Sequence, residues 1–96
     1  MLTINNRSRL FKEEVAGWII SGVTTTNQAY LIHLKKPNGE EQQINIERNP
    51  IGDEYEMWCW KNADNFYNMT PERLMVTKDM LKTMEHVLVR MNLLLM

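Results

Sequence analysis

Cysteine is nearly missing from this chain: Cys59 stands alone. One thiol cannot close an internal disulfide, so a disulfide-stapled scaffold is excluded and a reducing cytoplasm is the expected compartment. Glycine (4) and proline (3) are sparse. They form no P-loop, no GxGxxG and no GxSxG, the glycine patterns that cradle phosphates or expose a nucleophile. Histidine occurs only at His33 and His86, with no second ligand at metal-binding spacing, so no zinc site is expected. No run approaches the roughly 20 apolar residues that span a bilayer. The opening MLTINNRSRL lacks the apolar core of a secretion signal. A strong charge of either sign is absent too, the formal net charge being −1, whereas proteins that live on duplex nucleic acid normally carry a clear positive excess.

What remains is ordinary globular material. Ninety-six residues with 44% apolar and 24% charged side chains make a single domain, 1–96, able to bury a modest core without staples. Asparagine and methionine are frequent and alanine is scarce, a bias that reads as AT-rich coding and points to a phage, plasmid or low-GC bacterial source.

The expected fold is α+β: a short antiparallel sheet of three to four strands in a meander, a short N-terminal helix, and a long amphipathic C-terminal helix packed on one face. Ser8 as a cap, Leu10, Phe11 and Val15 near one face, and Gly17 as a stop predict a helix over about 9–16. WIISGV reads as a strand ending in a turn near 24–27. The strands on either side of Pro37-Asn38-Gly39 read as a hairpin. A three-residue loop with proline first and glycine last combines a type I turn with a left-handed third position. Paired residue numbers then sum to 76, which sets Ile32 opposite Ile44 and Tyr30 opposite Ile46. The other register would split the isoleucines between faces. EYEMWCW predicts a fourth strand with Tyr55, Met57 and Cys59 on one side and Glu56, Trp58 and Trp60 on the other. Thr70-Pro71-Glu72 resembles a helix start, and Leu74, Leu81, Leu88 and Leu95 recur every seven residues, predicting a helix over about 71–94 with a break near Thr77.

Chemistry-bearing residues are few. Cys59 sits among apolar neighbours without an activating cation and reads as an inert core thiol. His86 reads as a solvated surface residue beside Glu85. No catalytic residue, metal or cofactor is expected, and the chain is not expected to be an enzyme. Segment 53–72 is acidic and aromatic. Trp58 and Trp60 fill the core if the strand turns that side inward; on an exposed sheet face, aromatics can anchor a protein interface or stack nucleobases, and the carboxylates favour the first of these two. The expected partner-binding residues are Asp53, Glu54, Glu56, Trp58, Trp60, Phe66 and Tyr67. The stripe of the last helix is expected mainly to cover the sheet. Because it is wider than a coiled-coil seam, it also predicts a homodimer contact through Leu81, Met84, Leu88, Met91 and Leu95. The function expected is a small interaction protein that binds and modulates a protein partner, in its finer form a phage- or mobile-element-encoded inhibitor of a host defence protein. The alternative is a small nucleic-acid-binding regulator that uses the wet sheet face with Lys35, Lys36 and Arg48.

Overall fold

Between residues 29 and 48 apolar side chains alternate with polar ones on both sides of Pro37-Asn38-Gly39, and the backbone follows that pattern. In a computed structural model of the chain, which describes residues 7–49, 54–60 and 71–96, this segment is a hairpin of β3 (Ala29–Lys35) and β4 (Glu41–Arg48). Gly39 N donates to Lys36 O at 3.0 Å, Lys36 N donates to Glu40 O at 2.9 Å, and Gly39 takes φ +94°. The register is the expected one: Tyr30 faces Ile46, Ile32 faces Ile44 and Leu34 faces Gln42. The isoleucines therefore share one face and are fully buried.

The sheet is larger than the expected three to four strands. Its six antiparallel strands lie in the order β1 to β6 and curl into a half-barrel, adding β1 (Glu14–Val15), β2 (Trp18–Thr25), β5 (Tyr55–Trp60) and β6 (Pro71–Val76) to the central hairpin. Two expected helices give way to this sheet. At the N-terminus only one turn, α1 (Arg7–Leu10), is helical. Lys12 turns into the left-handed region at φ 72°, and Val15 pairs with Trp18 across a two-residue loop. In that loop both Ala16 (φ 51°) and Gly17 (φ 82°) are left-handed, the pattern of a type I′ hairpin, whose twist matches that of its strands. Gly17 thus closes a hairpin and not a helix. Val15 reaches the core as a strand residue, whereas Phe11, expected beside it on a helix, is exposed.

At the C-terminus the expected helix over 71–94 is three elements. Residues 71–76 pair along their whole length with β5, a 3₁₀ turn follows at Met80–Lys82, and α2 covers only Met84–Leu95. The sequence PERLMV also alternates, and as a strand it sets Leu74 beside Met57 and Val76 beside Tyr55, extending the buried row of β5. Asp79 holds the N-cap position of the 3₁₀ turn, and Thr77, two residues earlier, accepts at Oγ1 from Met80 N at 3.4 Å. The cap of α2 is Thr83, extended at φ −122°, ψ 138°, with Oγ1 accepting from His86 N at 3.4 Å.

The concave face of the curl holds the core. Tyr30, Ile32, Leu34, Ile44, Ile46 and Met57 come from the central strands, and Val87, Met91 and Leu94 of α2 lie on them. The helix touches β5 and β6 on one side and β1 on the other, so it closes the open side of the half-barrel. Among the described residues no helix is long and apolar enough to cross a membrane.

Candidate interaction face

With the concave face committed to the core, period-two alternation sends the other residues of β2 to β6 to the convex face. On β5, Tyr55, Met57 and Cys59 are buried and Glu56, Trp58 and Trp60 lie on the other side, so of the two orientations the sequence leaves open the strand takes the one with the tryptophans away from the core. β6 contributes Arg73 and Met75 to the same side, because Trp58 pairs with Arg73 and Glu56 with Met75. β4 contributes Asn45 opposite Trp58 and Glu47 opposite Glu56.

The two indoles meet edge to face, with centroids 5.7 Å apart and planes at 86°, an arrangement in which the positive ring edge meets the negative ring face. The Arg73 guanidinium lies 5.5 Å from the Trp58 centroid while its Nη1 donates to Glu56 Oε2 at 2.9 Å. Trp58 is half-buried, and its Nε1 is shielded from solvent without an acceptor among the described residues. Asn45, the buried polar residue of this face, accepts at Oδ1 from Gln43 Nε2 at 3.1 Å. Trp60 and Met75 are the open apolar surfaces, 40% and 46% exposed.

Of the expected partner-binding residues, Glu56, Trp58 and Trp60 share this face and Glu54 is exposed just before β5. Asp53, Phe66 and Tyr67 lie outside the described residues. Arg73, Met75 and Glu47 belong to the face and were missed. Residues 71–76 read as helix conceal Arg73 and Met75, and Glu47 joins only through the β4–β5 register, which no local signal specifies.

The expected helix contact is distributed differently from its expected roles. Leu81 and Met91 are buried in the chain's own core, and Met84, Leu88 and Leu95 are half-buried against it. The apolar residues that α2 leaves exposed are Val89, Leu93 and Met96, which follow one another at helical spacing on the far side.

Elsewhere on the convex face, Thr24 Oγ1 and His33 Nε2 are 3.0 Å apart and Ser21 Oγ donates to the His33 carbonyl at 3.2 Å. These sit beside an open polar groove of about 490 Å³ lined by Ser21, His33, Glu41 and Gln43 with Leu34 and Gln42. A hydroxyl next to an imidazole needs a group orienting the base and donors for the developing oxyanion before it is a catalytic pair. Among the described residues no group holds the other imidazole nitrogen of His33. Of the basic residues expected to line a nucleic-acid surface, Lys36 is engaged within the chain. Its Nζ sits 4.6 Å from the Trp18 centroid and 3.6 Å from Glu40. Lys35 stands next to it on the strand, opposite Glu41.

The fold and face together describe a curled antiparallel meander closed by one helix, with an aromatic, acid-edged convex side. No protein-family model matches the chain, and no curated protein or solved structure matches it either.

Proposed function

We propose that this chain is a non-enzymatic interaction protein that binds and modulates a protein partner through the convex face of β5 and β6. The observation that carries the reading is the pair of open apolar surfaces, Trp60 and Met75, on the side of the sheet away from the core. The two stand toward opposite ends of the β5–β6 pair with Trp58 and Arg73 between them, and an apolar surface on one sheet face that is edged by charge marks an interaction site. Tryptophan and arginine, both present here, are the residues most enriched among binding hot spots. The carboxylates at its edge steer association toward a basic surface, raising the on-rate more than the affinity. The engagement of Lys36 with Trp18 and Glu40 ranks protein above nucleic acid as the partner. An inhibitor of a host defence protein, encoded by a phage or mobile element, is the finer form of this proposal and rests on composition.

The test is affinity capture from cells of the source organism, with and without nuclease, followed by purification of the captured protein and a direct titration. The expected result is a nuclease-resistant complex whose affinity falls at least about tenfold in a Trp60→Ala, Met75→Ala variant, the scale of losing one hot-spot residue. A complex that disappears with nuclease, or one indifferent to both substitutions, overturns the reading.

A further inference from the structure

We infer that the docking face selects an arginine side chain of its partner, seated on Glu47 beside Glu56 and Trp58; this rests on the protein-binding reading above. Two carboxylates stand directly opposite one another on the convex face, Glu47 on β4 and Glu56 on β5. Like charges in that relation destabilise a sheet, and among the described residues only Glu56 of the two is paired with a cation. Arg73 reaches over from β6, holds Glu56 at 2.9 Å and lays its guanidinium over the Trp58 ring at 5.5 Å. The chain thereby displays on itself how this surface takes a guanidinium: one carboxylate oxygen accepting from Nη1 and one indole ring beneath it.

Glu47 stands diagonal to that same Trp58, on the side away from Arg73's strand, and among the described residues has no cation of its own. It is exposed, and it makes no ion pair among the described residues. Its cross-strand neighbour on β3 is Ala29, and the diagonal ones are Leu31 on β3 and Trp58 on β5. No neighbour in these rows carries a positive charge. A guanidinium arriving from outside would meet the free carboxylate of Glu47 and relieve its repulsion with Glu56, while the partner's adjoining apolar surface covers Met75 and Trp60. Charge complementarity thus specifies the occupant. A planar fork matches a carboxylate in two-point contact and stacks on aromatic rings, which an ammonium does not do. A metal ion is disfavoured by the same geometry, because no group of three or more ligating side chains converges among the described residues.

The experiment uses the full chain labelled with ¹⁵N and follows the Trp58 and Trp60 indole N–H signals during titration with triarginine, trilysine and tricitrulline at fixed ionic strength. Tricitrulline keeps the shape of the guanidinium and removes its charge. Triarginine is expected to move the Trp58 signal saturably, trilysine several-fold more weakly, and tricitrulline not at all. Glu47→Gln is expected to weaken triarginine about tenfold and, by removing the repulsion, to raise the melting temperature. Glu47→Arg, which places the cation inside the chain, is expected to abolish the titration. An unmoved indole with triarginine, an undiminished response in Glu47→Gln, or equal binding of trilysine or tricitrulline overturns the inference. A captured protein partner whose affinity depends on Trp60 but not on Glu47 overturns the arginine seat and leaves the docking face standing. A partner indifferent to Trp60 removes both.

Discussion

Three backbone positions with positive φ turn this chain at its hairpins: Ala16 and Gly17 between β1 and β2, and Gly39 between β3 and β4. Gly39 has nothing within 4 Å of where a Cβ would stand, so the cost of replacing it is conformational and not steric. Gly39→Val forces a β-branched residue to φ +94° and is expected to lower stability by about 1 kcal/mol or more, read as a fall in the urea midpoint at unchanged slope. Ala16 is the opposite case. It occupies a left-handed position of a type I′ turn where asparagine or glycine is preferred, so Ala16→Asn is expected to raise stability by about 0.5–1 kcal/mol in the same measurement. The first turn was legible in the sequence because proline and glycine announce their own dihedrals. The second was not, because alanine carries no such mark and Gly17 serves a helix end as well as a hairpin.

At the scale of elements, the leucine repeat at 74, 81, 88 and 95 illustrates what periodicity can and cannot decide. Those leucines sit on three different elements: β6, the 3₁₀ turn and α2. PERLMV fits a strand and a helix about equally, and a free row beside β5 resolves the choice, since Leu74 and Val76 extend the buried line of Met57 and Tyr55. The helix begins instead at Thr83, and Thr83→Ala, which removes the hydroxyl that accepts from His86 N, is expected to cost about 1 kcal/mol, measured by thermal melting followed in the far-ultraviolet. The two sides of α2 should respond oppositely to charge. Met91 is fully buried and Leu93 is 47% exposed, so Met91→Glu is expected to abolish the cooperative melt. Leu93→Glu should leave the melting temperature within a few degrees of the parent, as surface changes usually do. Light scattering on Leu93→Glu also tests whether copies of the chain pair through this side of the helix, a lower mass than the parent being the sign of a broken contact.

For the whole molecule, one face of a curled sheet and one helix make the core of the described residues, and Trp58 and Trp60 stand on the other side of the sheet, outside that cluster. Trp58→Ala with Trp60→Ala is accordingly expected to keep a single cooperative unfolding transition while abolishing partner binding, checked by calorimetry alongside the titration. Loss of cooperativity would place the indoles among the residues that hold the fold.

Sequence by itself determined the central hairpin and the division of β5 into two sides, but not which of those sides is core. Both follow from local rules: the dihedrals of Pro37-Asn38-Gly39 fix a register, and strict alternation then assigns every side chain to a face. Only the tertiary structure decided that 71–76 is a strand, that 9–16 is not a helix, and that Glu47, Arg73 and Met75 join the tryptophans. Each of those outcomes depends on which strand stands alongside. Strand neighbours are chosen by the burial of rows drawn from distant parts of the chain, a free energy that no single segment carries within itself.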